Sequence, residues 1–129
     1  MMRVLIVESN AALGTIWKRH LERQGQSVDL VADQPAAIAH IQRQSPDILV
    51  VNLTLTNGSA LAIADFASYR APRARVIFVT SGSFFSDGSI FAHVPNACAF
   101  LPTGVPPDDL AALVAHYGVL SISPVRVVP

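Results

Sequence analysis

Short apolar runs alternate with longer amphipathic stretches along this chain, and the alternation repeats five times. The apolar runs cover residues 4–7, 27–31, 48–51, 76–79 and 98–101. Several are continuous in apolar residues, as expected for parallel strands that are buried on both faces. The pattern therefore predicts an α/β domain in which helices cover both faces of a parallel sheet. Residues 48–51 form the most hydrophobic run, which favours a central strand.

Capping residues set the expected bounds of the first three helices. Ser9 or Asn10 can cap the first helix, and Gly25 ends it. Asp33, followed by a proline, begins the second, and the third covers roughly residues 59–69 after a turn at Asn57 and Gly58. The inward stripe of the first helix is predicted to be Leu13, Ile16, Trp17 and Leu21, and that of the second Ile38 and Ile41.

The last third of the chain gives weaker signals. Residues 83–94 are expected to form a poor helix, because Gly88 and several serines lower its propensity. The fifth helix should begin at 106–109 and end at Gly118. Its inward stripe is predicted to be Leu110, Leu113, Val114 and Tyr117. We therefore expect one domain over residues 1–118, followed by an apolar tail or linker over 119–129.

Composition and charge argue against several classes of function, among them nucleic-acid binding and membrane association. The 129 residues are 51% hydrophobic and 14% charged, which fits a single compact domain. Nine basic residues balance nine acidic ones, so no global field draws the chain to nucleic acid or to anionic lipid. No apolar run approaches the roughly 20 residues needed to span a membrane. Because Cys98 is the lone cysteine and no signal peptide is recognisable, the chain is expected to be cytoplasmic and without an internal disulfide. No cofactor is expected.

Polar residues stand where ligands bind in such folds, beyond the carboxyl ends of the strands. They are Glu8 and Ser9 after the first strand, Asn52 after the third, Thr80 and Ser81 after the fourth, and Thr103 after the fifth. This set offers one carboxylate, so it predicts no metal site, or at best weak binding at Glu8. The histidines show no ligand spacing and are expected to be surface or partly buried side chains.

The order of elements, the segment 46–52, the strand-end Thr80 and the segment 100–103 resemble the receiver domain of two-component response regulators. The resemblance covers residues 3–117. It implies a flavodoxin-like, doubly wound (βα)5 sandwich with a five-stranded parallel sheet of order 2-1-3-4-5. It also implies an acidic pair, a phosphorylated aspartate, a switch hydroxyl and a Lys-Pro at the strand ends.

The chain departs from that set at four positions. Ser9 stands at the second acidic position, Asn52 at the phospho-acceptor position, and Thr103 and Gly104 where the family has lysine and proline. An amide is a very poor nucleophile and cannot form an acyl phosphate. The expectation is a degenerate pseudo-receiver, not an enzyme, with Thr80 as the retained switch hydroxyl. If the resemblance fails, the simplest roles are a turn-capping Asn52 and a solvated Glu8.

The resulting hypothesis is a phosphorylation-independent regulatory module that binds a protein partner or itself. In the family, the face formed by helix four, strand five and helix five makes such contacts. Here that face is predicted to carry Phe84, Phe85, Ile90, Phe91 and Phe100, unless some of these side chains are core. Two alternatives stay open: a small-molecule or nucleotide-binding protein that uses the strand-end crevice, and a receiver that retains weak metal binding.

Overall fold

A computed structural model describes residues 2–81 and 94–122, with side chains as far as residue 118. The strands are β1 (Arg3–Val7), β2 (Ser27–Val31), β3 (Ile48–Asn52), β4 (Arg75–Thr80) and β5 (Ala97–Pro102). The helices are α1 (Ala11–Arg23), α2 (Gln34–Arg43), α3 (Ala60–Arg70) and α4 (Pro107–Ile122). No helix in the described ranges is both long and apolar enough to span a bilayer.

The five strands form one parallel sheet in the order β2-β1-β3-β4-β5. This confirms the predicted α/β, flavodoxin-like fold and the predicted strand order. β3 is central and all five of its residues are buried. Its continuous Ile-Leu-Val-Val run is therefore explained by helices that cover both of its faces.

Successive side chains along each strand point to opposite faces of the sheet, where they pack into two separate hydrophobic cores. On one face Leu5, Leu49 and Phe78 pack against α2 and α3. On the other face Ile6 and Val50 pack against α1 and α4. The chain thus passes to opposite faces after β1 and after β3, which opens a crevice at the carboxyl ends of these two neighbouring strands.

The helix bounds follow local chemistry. The side chains of Asn10, Asp33 and Ser59 cap α1, α2 and α3 by accepting from the backbone N–H three residues on. The predicted turn before α3 is confirmed: Gly58 has φ of 108°. A Cβ there would also collide with Gln34, so this position requires glycine on two counts.

Two details of the helix predictions are wrong. Ile16 is 43% exposed, whereas Trp17 and Leu21 of the same helix are buried. Gly118 does not end the last helix, which continues to Ile122. A Cβ at position 118 would meet the Met2 side chain, so the glycine permits close approach between α4 and the start of β1. That packing offsets the roughly 1 kcal/mol that glycine costs inside a helix.

Some predictions lie outside the described residues. These are the weak helix over 83–94 and four members of the predicted partner face, Phe84, Phe85, Ile90 and Phe91. The fifth member, Phe100, is half-buried, and its ring lies 5.2 Å from that of Phe78. Phe100 is thus packed against the core. The predicted domain boundary at residue 118 stays a prediction.

Candidate functional site

The strand-end site comprises Glu8, Ser9, Asn52, Thr80 and Thr103, which follow or end four neighbouring strands. Val7 of β1 pairs with Val51 of β3, so the next residues of the two strands, Glu8 and Asn52, lie side by side. Both are buried, at 3% and 8% exposure. The alternative of a solvated Glu8 is therefore wrong.

A short hydrogen bond joins the two buried side chains. Asn52 donates from Nδ2 to Glu8 Oε1 over 2.7 Å. The other carboxylate oxygen, Oε2, accepts from the Asn10 backbone N–H at 2.9 Å. A buried carboxylate is costly unless its oxygens receive hydrogen bonds, and each oxygen here receives one. The amide of Asn52 thus stabilises the only carboxylate of the strand-end site.

The second end of the Asn52 amide is also engaged. Its Oδ1 accepts from the backbone N–H of Thr54 at 2.9 Å, which is the turn-capping bond expected of an asparagine that begins a loop. The two partners fix the orientation of the amide, because only nitrogen can donate to Glu8 and only oxygen can accept from Thr54. A carboxylate at position 52 would place oxygen against oxygen.

Ser9 points its hydroxyl into the loops instead of toward Asn52. Its Oγ donates to the Ala32 carbonyl at 2.7 Å and accepts from Thr56 through the backbone N–H at 3.1 Å and Oγ1 at 3.2 Å. A hydroxyl has one donor and two acceptor positions, so all three are used. Ser9 therefore ties together the loops that follow β1, β2 and β3.

Thr80 and Thr103 close the other side of the strand-end site. Thr80 ends β4 and is fully buried. Its backbone carbonyl accepts from the Thr103 backbone N–H at 3.1 Å, which links the turn after β5 to the end of β4. Between β3 and β4, the Leu53 backbone N–H donates to the Val79 carbonyl at 2.8 Å. All five predicted residues thus lie at one edge of the sheet, and a direct hydrogen bond joins the side chains of Glu8 and Asn52.

The oxygen atoms present do not fit a magnesium site. Mg²⁺ takes near-octahedral oxygen ligands and usually binds through one or two carboxylates. Here Glu8 is held by two N–H donors, Asn52 Oδ1 faces Thr54, and Ser9 is saturated. In the residues that the structure describes, no group of three or more His, Cys, Asp or Glu side chains could hold a metal ion.

Of the histidines that the structure describes, His40 is the most buried, and it lies next to an aspartate. His40 Nε2 lies 2.7 Å from Asp29 Oδ2, an ion pair between α2 and β2 when the ring is protonated. His20 Nδ1 lies 3.0 Å from the Ile16 carbonyl oxygen. The contacts of both rings therefore involve residues outside the strand-end site.

Sequence reasoning missed the loop partners of the site. Asn10, Thr54 and Thr56 contribute the backbone or hydroxyl donors described above. Such residues are common in loops, and no spacing in the chain distinguishes the ones that reach back to Glu8, Asn52 or Ser9. The residue type at position 52 does indicate the bond to Glu8, because an amide can donate a hydrogen bond to a carboxylate and an ionised aspartate cannot.

Comparison with known proteins gives one consistent result, although no family model matches the chain. The alginate biosynthesis transcriptional regulatory protein AlgB of Pseudomonas aeruginosa is 31% identical over 108 residues, which is 84% of this chain. The chain spans only 24% of AlgB, so the similarity concerns one part of that protein.

Solved structures extend the similarity to nearly the whole chain. A CheY-like response regulator receiver domain from Methanospirillum hungatei superposes with a TM-score of 0.85 at 21% identity, covering 94% of this chain and 96% of that one. The signal receiver domain of a protein described as a LuxO repressor, from Vibrio parahaemolyticus, gives 0.82 at 25% identity, covering 93% and 92%. Homologues and structural neighbours together strongly support the assignment of this chain to the CheY-like receiver domains of two-component response regulators.

Proposed function

We propose that this receiver domain signals without aspartyl phosphorylation, as a regulatory module that acts through protein–protein contact. The observation that carries the proposal is the buried 2.7 Å bond from Asn52 Nδ2 to Glu8 Oε1. An amide stands where phosphoryl transfer needs a carboxylate nucleophile, and the same amide engages Glu8, the carboxylate of the strand-end site.

Two further features support the same reading. Thr103 stands where a cation would stabilise the developing charge of a transferred phosphoryl group, and a neutral hydroxyl does not supply that charge. Ser9 supplies no carboxylate, and its hydroxyl is used up by Ala32 and Thr56. Reversal of a single substitution would therefore leave the chemistry incomplete.

The direct test is the intact mass of the protein after incubation with a small phosphodonor and Mg²⁺. We expect no adduct of about 80 Da. The control is the triple variant Ser9→Asp, Asn52→Asp, Thr103→Lys, treated in parallel, because it returns two carboxylates and a cation to the site. A stoichiometric, hydroxylamine-labile adduct on the unaltered chain would contradict the proposal.

The proposed contact surface is the β5 and α4 side of the domain. β5 is the edge strand, and five of its six residues are half-buried with the sixth exposed. Receiver domains bind partner proteins such as kinases or effectors, and a second copy of this chain is one candidate partner. A charge-poor edge strand next to a helix suits such contact.

This surface is tested by placing a photo-cross-linking residue at one of two exposed helix positions in the cell. Position 112 lies on α4, and position 65 lies on α3 as the matched control. We expect discrete cross-linked species from Ala112 and none from Asp65. Equal cross-linking from both positions, or from position 65 alone, would contradict the assignment of the surface.

A further inference from the structure

A cavity of about 310 Å³ lies at the opposite edge of the sheet from the strand-end site. Its walls come from the loop before β3 and the loop between α3 and β4, and include Ser45, Asp47, Arg70 and Arg73. This amino-edge cavity plays no part in the function proposed above. Its volume is at the lower end of small-ligand sites, which range from about 300 to 1,000 Å³.

Two guanidinium groups line the cavity. Arg70 donates one hydrogen bond, from a terminal guanidinium nitrogen to the Gln42 carbonyl at 3.2 Å. Because a guanidinium has five N–H donors, most of the donors of Arg70 are left for a ligand. Among the described residues, no carboxylate lies within 4.0 Å of Arg70. Arg73 adds a second cation three residues on.

The one carboxylate in the wall is already committed to the fold. Asp47 Oδ2 accepts from the Arg3 backbone N–H at 2.8 Å, which joins the starts of β1 and β3. Arg3 is exposed, and strand alternation places it on the same face as Leu5, the face that α2 and α3 cover. Arg43 ends α2, next to the Gln42 carbonyl that Arg70 contacts. Among the described residues named here, arginines thus outnumber carboxylates at this edge, although the whole chain has nine basic and nine acidic residues.

The remaining walls are flat and apolar. Pro46, Ala71, Pro72 and Ala74 contribute rings and methyl groups, and the prolines have no N–H to satisfy. A stabilising interaction with helix dipoles explains arginines at the ends of α2 and α3. It does not explain the cavity that lies between the loop before β3 and the loop after α3.

We propose that the amino-edge cavity binds a small organic anion: a phosphate monoester joined to a planar ring, no larger than a mononucleotide. Arg70 would hold the phosphate in the bidentate manner that guanidinium groups favour, and Arg73 lines the same cavity. The ring would lie against the proline and alanine walls. No bond is made or broken in this step.

The test is a titration of the ¹⁵N-labelled protein with adenosine monophosphate, followed by amide chemical shifts. Inorganic phosphate and adenosine are titrated separately. We expect saturable shifts at Ser45, Ala71 and Ala74, with adenosine monophosphate binding at least about tenfold more tightly than either part alone. Added salt should weaken binding, because the contact is largely ionic.

Variants separate this site from nonspecific charge. Arg70→Gln should weaken binding at least about tenfold, whereas Arg19→Gln, at an exposed position on α1, should leave it unchanged. Melting temperatures verify that the variants fold, and Arg73→Gln serves if Arg70→Gln does not. No shifts at millimolar ligand, equal affinity of Arg70→Gln and the unaltered chain, or phosphate alone binding as tightly as the mononucleotide would each overturn the inference.

Discussion

Asn52→Asp should destabilise this protein strongly at neutral pH, although it restores the residue type found in phosphorylated relatives. The substitution turns a 2.7 Å donor–acceptor contact with Glu8 into two facing carboxylates in a buried site. Two like charges about 4 Å apart repel by about 4 kcal/mol at an effective dielectric constant near 20. Protonating one carboxyl at pH 7, from an ordinary pKa near 4, also costs about 4 kcal/mol, which sets the upper limit.

We therefore expect a loss of about 3–4 kcal/mol in the free energy of unfolding at pH 7, measured by urea denaturation. The facing carboxylates would share a proton, so the carboxyl pKa of the pair in the folded variant is raised above its unfolded value near 4. A raised folded pKa means that the deficit grows as pH rises through that window and shrinks as pH falls toward about 4.

Two controls define the cause. Asn57→Asp makes the same chemical change at an exposed turn and should stay within about 0.5 kcal/mol of the unaltered protein. Glu8→Gln combined with Asn52→Asp exchanges donor and acceptor and should recover most of the loss. Equal stability of Asn52→Asp and Asn57→Asp at pH 7, or a deficit that does not change with pH, would refute the reasoning.

Three further predictions concern other parts of the domain. Ser9→Ala should cost about 1 kcal/mol and speed amide hydrogen exchange in the loops that its hydroxyl joins, measured by mass spectrometry; unchanged exchange would contradict the role given to it. Gly58→Ala should lower the free energy of unfolding by about 2–3 kcal/mol, which is more than Gly25→Ala should cost. Both glycines have positive φ, but a Cβ at position 58 would also collide with Gln34. Calorimetry measures both losses, and equal losses would contradict this explanation. Burial raises the pKa of the Cys98 thiol from 9.0 to about 11, so alkylation by iodoacetamide should be slower than that of a free cysteine at pH 8 to 9 and rise toward pH 11.

The sheet could be predicted from the chain because its signal is local. Apolar runs predict all five strands to within a residue or two, and the polar residues at the strand ends include Glu8 and Asn52, which a hydrogen bond joins in the structure. Ile16 and Gly118 could not be assigned correctly, because helical spacing does not reveal which side a neighbouring element covers. For Gly118, packing against Met2 outweighed a propensity that favours a helix end.

The interior of the strand-end site was less predictable. The sequence indicated one missing carboxylate at Ser9, but not that its hydroxyl is saturated by Thr56 and the Ala32 carbonyl. These bonds join residues 23 and 47 positions apart, and loop hydroxyls carry no periodic signal. The amino-edge cavity was missed for the same reason, since its walls come together only when α3 docks beside β3.

The central claim is that Asn52 and Glu8 close the strand-end site by hydrogen bonding to each other. Its most direct test is hydrogen exchange at the side-chain amide of Asn52, followed by NMR. Asn57 serves as an exposed reference in the same spectrum. If Asn52 Nδ2 donates to the buried Glu8 carboxylate, its bonded proton should exchange much more slowly than those of Asn57, with or without Mg²⁺ and phosphodonor. Exchange as fast as that of Asn57, or loss of protection when Mg²⁺ is added, would show that the amide does not hold this site closed.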